Sequence, residues 1–490
     1  MKFEIIKSDS RIGGRHVLGI ALYEGFTAKD LSPLPSSIAL LVEMFISREN
    51  FKGKKGSTLI VPLASSDTKC VALAGLGPQD EAGTDDFRLA SYKICRTAAE
   101  KGGSTVSMAI PGASERVVSR AIGEGAALAC YRFEKYRSRD EDDRFAAVEQ
   151  TAVIGGDFKA LTEGYTIGVC QSFSRDLANE PGNVINPAAL AEIAASLAAE
   201  KGLKITVMDE SKLAAKGMNA LLAVGAGSVS KPRLIHLEYK PVSPVRTVAL
   251  VGKGVTFDSG GLNIKPSEHM TTMKGDKTGA CAVLGAIKAA AELELPVTVH
   301  AIIGAAENMP GGGAYRPDDV IRAYNGKTIE INNTDAEGRV TMADTLSYAC
   351  GLKPDCVIDI ATLTGACAIA LGETTAGLFT NDGKLGDEFL EAANTSGERF
   401  WKLPMNDENL RKKLKSPIAD VINACGRYGG AITAAMFLES FVEKGTPWIH
   451  LDIAATDHVD KPYSYYIKGA TGYGMRAITT FLLAIAERGK

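Results

Sequence analysis

Between Asn332 and Arg339 the chain reads NNTDAEGR, which sets Asp335, Glu337 and Arg339 on alternate residues with Gly338 between the last two. Two carboxylates and a guanidinium at that spacing, beside a glycine that frees the backbone to turn, suit a cation or anion site. A packing alternative is open at this point. Val340, Met342, Ala343, Leu346 and Ala349 recur at roughly helical spacing, so Thr334 or Asp335 could equally be the N-cap of a helix.

A second polar cluster lies upstream, VGKGVTFDSGGLNIKPSEHMTTMKGD, with Lys253, Asp258, Lys265 and Asp276. Thr247 to Val251 reads as a buried strand, which puts Lys253 and Asp258 just past its end, where open α/β sheets bind ligands. Gly252, Gly254, Gly260 and Gly261 suit a backbone that folds closely around something small. The two clusters together offer four carboxylates (Asp258, Asp276, Asp335, Glu337) and three cations (Lys253, Lys265, Arg339). Four carboxylates in one pocket would repel and take up protons unless divalent ions held them ionised. Two ions roughly 3.5–4 Å apart, bridged by carboxylates and a water, are a recurring solution for hydrolysis.

The order of these seven residues resembles the leucyl aminopeptidase family, the cytosol aminopeptidases. Further matching segments are RDLANEPGNVINP (Arg175 to Pro187), ENMPGGGAYRP (Glu307 to Pro317), ATLTGA (Ala361 to Ala366), HLDIA (His450 to Ala454) and KGATG (Lys468 to Gly472). The resemblance implies that Asp258, Asp335 and Glu337 hold one divalent ion and that Lys253, Asp258, Asp276 and Glu337 hold the other, manganese or zinc, with magnesium or cobalt as alternatives. It implies Lys265 and Arg339 as catalytic residues, the first on the substrate carbonyl and the second anchoring bicarbonate. Met273, Asn333, Thr362, Leu363 and Gly365, with Lys265 and Asp276, are the implied substrate-binding positions. The implied reaction is release of N-terminal residues, preferably leucine and other apolar ones, from peptides with a free N-terminus, by a hydroxide bridging the two ions. A homohexamer is implied as well.

Each carried-over role has a physical reason. A lysine ligates only as the neutral amine, so Lys253 must lose its proton to an ion. Lys265 must keep its own to stabilise a developing oxyanion, and the planar fork of Arg339 matches two bicarbonate oxygens. The departures from the family pattern are Lys277 and Thr278 after Asp276, Val340 in place of leucine, and Asp318 in place of a glycine.

Two other functions fit parts of this pattern. A dinuclear phosphoesterase uses the same ion pair, and an architectural DNA-binding protein could share the fold. The balance of 55 Lys and Arg against 58 Asp and Glu gives the latter no support. GDKTG (Gly275 to Gly279) lacks the glycine a phosphate-binding loop needs before its lysine, GKG at Gly252 lacks a third glycine, and the six histidines form no ligand spacing. His450, inside an apolar run, reads as a hydrogen-bonded core residue.

The elements that must position these residues follow from periodicity. Strand-like runs at His16 to Leu22, Ser57 to Pro62, Cys70 to Leu76, Val106 to Ile110 and Ala147 to Ile154 alternate with helical stretches at Asp86 to Glu100 and Glu115 to Leu128. The expected architecture is α/β: an N-terminal α/β (macro-like) domain over 1–155, a connecting helix over 156–178, and a larger catalytic α/β domain with a central mixed sheet over 179–490. In the latter, Lys204 to Met208, Leu234 to Tyr239, Val297 to Ile303, Cys356 to Ile360 and Trp448 to Ile453 are further strands and Gly279 to Leu293 a helix. Tyr131 to Arg144 reads as a charged surface segment. Nine scattered cysteines without CxxC pairs predict reduced thiols and a cytoplasmic location. The N-terminus has no apolar leader, and no long apolar span follows, so no membrane partner is expected.

Overall fold

The computed structural model describes residues 1–7, 10–64, 67–138 and 145–489. Of the charged Tyr131 to Arg144 stretch, residues 139–144 lie outside the described residues. The chain forms two compact units, Met1–Ser172 with Lys461–Ile467, and Phe173–Asp460 with Lys468–Lys490.

The first unit holds a six-stranded sheet of β1 (Lys2–Ile6), β2 (Val17–Tyr23), β3 (Thr58–Pro62), β4 (Cys70–Gly77), β5 (Thr105–Ala109) and β6 (Gln150–Ile154), in the order β1-β6-β5-β2-β4-β3. All neighbours are parallel except β3, which pairs antiparallel with β4 at one edge. β4 is buried along its whole length, which is why it reads as a continuous apolar run and not as an alternation. The segment Lys461–Ile467 belongs to this unit: Tyr465 is 1% exposed, its hydroxyl donates to Asp85 at 2.9 Å, and its ring meets Tyr92 edge-on.

The second unit is built on eight strands: β7 (Lys204–Met208), β8 (Arg233–Tyr239), β9 (Arg246–Asp258), β10 (Val297–Asn308), β11 (Cys356–Ala361), β12 (Thr375–Thr380), β13 (Arg399–Lys402) and β14 (Trp448–Asp452). They lie in the order β13-β12-β14-β11-β9-β10-β8-β7. The central four, β14-β11-β9-β10, run parallel, while β8 and β12 pair antiparallel with them. Helices Thr278–Glu292 and Glu337–Gly351 are buried over nearly all of their residues. The first is rich in alanine and glycine because it touches the strands directly: a Cβ on Gly279 would stand 2.2 Å from the Ile360 carbonyl oxygen, and one on Gly252 would stand 2.7 Å from Ala280 Cα.

Two expectations are corrected here. β9 does not stop at Val251 but runs to Asp258, so Lys253 lies inside it and Asp258 is its last residue. Pairing with β10 continues through Lys253 and Gly254, and the lysine is tolerated in a buried strand because carboxylates meet it. Accordingly Gly252 and Gly254 serve close packing, whereas only Gly260 (φ 87°) and Gly261 (φ 65°) take the left-handed turn.

At the other side of the sheet, His236 on β8 bonds His300 on β10 at 3.0 Å and the Tyr348 hydroxyl at 3.1 Å. Burial, with His300 as the nearest titratable neighbour, pushes the His236 pKa down to about 4. The folded protein therefore binds fewer protons than the unfolded chain between about pH 4 and 6.5, so the stability this neutral ring contributes is present above pH 6.5 and lost as pH falls toward 4. The shift corresponds to about 3 kcal/mol. His236→Gln is expected to flatten the decline of unfolding free energy between pH 6.5 and 4, measured by urea titration; parallel curves for variant and parent would refute the assignment.

Candidate metal centre and substrate cleft

The carboxyl ends of the central parallel strands converge on the cluster. Lys253 and Asp258 come from the C-terminal half of β9, Asp276 from the turn Met273–Lys277, Asp335 and Glu337 from the start of helix Glu337–Gly351, and Thr362 to Gly365 follow β11 directly. Ligand atoms of Asp258, Asp335 and Glu337 lie within 4.8 Å of one another. Lys253 Nζ is 2.7 Å from Asp276 Oδ1 and 2.9 Å from Glu337 Oε1, and also donates to the Thr362 carbonyl at 2.8 Å. Lys265 Nζ is 2.8 Å from Asp258 Oδ2 and 2.6 Å from Asp335 Oδ1.

Burial dominates the electrostatics. It raises the pKa of Asp258, Asp276 and Asp335, and neighbouring carboxylates push in the same direction. For Lys253 burial acts downward, but Asp276, Glu337 and Asp258 outweigh it and the net shift is up; Lys265 behaves likewise through Asp258 and Glu337. An ion ligated by Lys253 would have to displace that proton and take over those acids, coupling ion uptake to proton release. Arg339, 9% exposed, donates through Nη1 to the Asn423 carbonyl at 2.9 Å and leaves Nε without a protein partner.

The acidic loop owes its shape to residues that sequence reasoning passed over. Asn423 accepts from the Asn332 amide and donates to the Asn333 carbonyl at 2.7 Å. Asn308 donates to Asp258 at 2.8 Å and to the Thr334 carbonyl at 3.0 Å, and the Tyr315 hydroxyl donates to that same carbonyl at 2.8 Å. Thr334 Oγ1 donates to the Gly260 carbonyl at 2.7 Å. Asp452, the last residue of β14, accepts from Thr364 Oγ1 at 2.6 Å and from the Leu363 amide at 3.1 Å. Asn308 and Tyr315 lie within the ENMPGGGAYRP segment, and Thr364 and Asp452 within ATLTGA and HLDIA, which were the available signals; Asn423 has none, standing alone about 90 residues away.

The N-cap reading of Thr334 or Asp335 fails. The helix starts at Glu337 with Ala336 as its N-cap and no side-chain cap bond, because Thr334 and Asp335 are engaged elsewhere. The two departures after Asp276 are internal supports: Lys277 is fully buried and donates to the carbonyls of Glu180 (2.8 Å) and Lys274 (2.5 Å), with burial lowering its pKa to about 8. Thr278 Oγ1 donates to the Gly275 carbonyl at 2.6 Å. Both fasten the turn that carries Asp276. Asp318 holds φ at 73°, a left-handed conformation that aspartate tolerates better than most residues, and Val340 is fully buried.

Asn333, Asp335, Arg339, Leu363 and Gly365 line a cavity of about 600 Å³, a size that holds a small ligand. Asp276 and Thr362 are not part of that lining; Thr362 Oγ1 donates to Asp276 Oδ1 at 2.7 Å and Asp276 Oδ2 has no protein partner. Half-buried Met273 opens the same turn. His450 is a core residue, fully buried and 2.5 Å from Asp359. All nine cysteines are free thiols.

Comparison with known proteins agrees with this geometry. Residues 172–479 match the model of the cytosol aminopeptidase family catalytic domain, and residues 20–140 match that of its N-terminal domain. The chain is 50% identical to a probable cytosol aminopeptidase of Aquifex aeolicus, with 99% of each chain covered. It is 47% identical to one of Persephonella marina, covering 93% of this chain and 94% of that one. Among solved structures it resembles the bottromycin maturation enzyme BotP in complex with Mn (TM-score 0.86, 36% identity, 96% and 100% coverage). It also resembles a tomato leucine aminopeptidase mutant (TM-score 0.88, 33% identity, 99% and 97% coverage).

Proposed function

We propose, from the premise that the chain belongs to the cytosol aminopeptidase family and is a metal-dependent aminopeptidase, that its acid and lysine cluster releases leucine and other apolar residues from peptide N-termini. The observation that carries this reading is the meeting of Asp258, Asp335 and Glu337 within 4.8 Å, with Lys253 and Asp276 alongside. Oxygen-rich donors with one amine fit a pair of divalent cations, and the unpartnered Asp276 Oδ2 fits a further positive group. Asp258, Asp335 and Glu337 would hold one ion and Lys253, Asp258, Asp276 and Glu337 the other, manganese or zinc being the expected metals. When bound, two such ions supply Lewis-acid polarisation of the scissile carbonyl and a water acidified enough to attack at neutral pH.

The chain's own residues do the rest. Asp276 receives the substrate's free α-amine, which positions only peptides with an unblocked N-terminus. Met273, Thr362 and Gly365 surround the first side chain and favour apolar groups while separating them modestly from each other, and Leu363 borders the path of the following residue. Lys265 stays charged and stabilises the oxygen on which negative charge develops. Arg339, held by Asn423, offers its free Nε edge to bicarbonate. A homohexamer belongs to the same reading and is checked by the mass in solution.

Assay of amino-acid anilides tests this proposal. Hydrolysis of the leucyl compound is expected to vanish on exhaustive chelation and return with manganese or zinc, exceeding that of the aspartyl compound. Lys265→Ala is expected to retain metal content and lose about 10²–10³-fold in kcat. Undiminished hydrolysis with no detectable metal would overturn the proposal.

A further inference from the structure

The cavity beyond Asp335 and Arg339 runs on past the chemistry. Its apolar wall is formed by Leu363, Ile369, Leu403 and Ile432, and its far rim by Arg427 and Tyr428. Ile369 is 83% and Tyr428 82% exposed, so large apolar groups stand open at the mouth, an arrangement that suits a ligand and not a finished surface. Arg427 is exposed and has no ion-pair partner among the described residues.

The loop carrying Arg427 is bent by two left-handed glycines, Gly426 (φ 83°) and Gly429 (φ 70°). Helix Gly430–Glu439 follows at once. Gly429 is its N-cap and no side chain caps it, so the first backbone N–H groups of the helix, on residues that line the cavity, have no intrahelical partner and add positive potential beside Arg427. At the inner end, buried Arg339 keeps its Nε unpartnered. Positive groups therefore sit at both ends of an apolar cavity.

This inference rests on the aminopeptidase reading. With the α-amine at Asp276 and the reacting carbonyl at Lys265, the rest of the peptide lies on the Asp335 and Arg339 side, in this cavity. We propose that Arg427, with the uncapped start of helix Gly430–Glu439, binds the C-terminal carboxylate of short peptides whose second side chain lies along the apolar wall of this cavity. The preferred substrates are di- and tripeptides with a free C-terminal acid, because a longer chain carries its carboxylate beyond Arg427.

The test compares trileucine with its C-terminal amide on the metal-loaded enzyme. The free acid is expected to be favoured roughly three- to tenfold in kcat/KM, through KM, with the ratio shrinking as salt is raised because Arg427 is exposed. Arg427→Gln is expected to bring the acid-to-amide ratio to about one, and Arg427→Lys to restore part of it, since a point charge keeps the attraction without the fork. Equal rates for acid and amide, a ratio indifferent to salt, or a ratio unchanged in Arg427→Gln would overturn the inference while leaving the aminopeptidase reading intact. Failure to cleave trileucine, its amide and leucyl anilide alike would overturn the reading itself and this inference with it.

Discussion

Glu337→Ala is expected to abolish turnover, lowering kcat/KM on leucyl anilide by on the order of 10³-fold or more, about 4 kcal/mol in the barrier, with loss of bound metal in the same preparation. The size of the effect follows from how many partners share one side chain. Glu337 is 2% exposed, stands within 4.8 Å of Asp258 and Asp335, and meets Lys253 at 2.9 Å. Removing it takes an anionic ligand from the acid cluster and a counter-charge from a buried ammonium at once. A buried cation deprived of a partner is costly, so thermal stability is expected to drop as well, which separates this variant from Lys265→Ala. Metal analysis beside activity decides the matter, and full activity in Glu337→Ala would refute the proposed centre.

Gly338→Ala is expected to cost about 10²-fold or more in kcat/KM and to lower the melting temperature, with the secondary structure kept. A Cβ at Gly338 would stand 2.5 Å from Lys253 Cε and 2.7 Å from its Nζ. An ordinary lysine would swing aside, but this one is fastened to Asp276, Glu337 and the Thr362 carbonyl, so the clash must break those contacts or push the helix away from the strand. Alanine in a helix is favoured over glycine by up to about 1 kcal/mol, which offsets only part of the strain, because a buried cation parted from its carboxylates costs more than that. A lowered melting temperature, an unchanged far-ultraviolet circular dichroism spectrum and collapsed activity are the expected results. Unaltered activity would show that Lys253 has room to spare.

The acid and lysine residues were legible because their chemistry is concentrated in two short segments, and the structure brings those segments to one place. Strand positions were legible for β4 from an uninterrupted apolar run, for β7 from the alternation of Ile205 and Val207 with Lys204 and Thr206, and for β14 from Trp448, Ile449 and Leu451 around His450. The end of β9 was not, because Lys253 reads as a polar stop when its partners Asp276 and Glu337 are unknown. Asn423, Asn308 and Tyr315 escaped notice for a related reason: each acts by hydrogen bonds to groups 19 to 91 residues away, and no spacing announces that. Lys277 stood out as a foreign charge near the centre, yet its role in tying down two carbonyls depends on Glu180, about 100 residues earlier.

The return of Lys461–Ile467 to the first unit bears on how the protein is made. A ribosome adds on the order of 5–20 residues each second, so the roughly 290 residues between Ser172 and Lys461 take about 15–60 s to appear, and throughout that interval Tyr92 and Asp85 await the tyrosine that covers them. Emergence of the leading unit from the tunnel is therefore not its completion; the finishing seal arrives only after residues 173–460 of the second unit have been made.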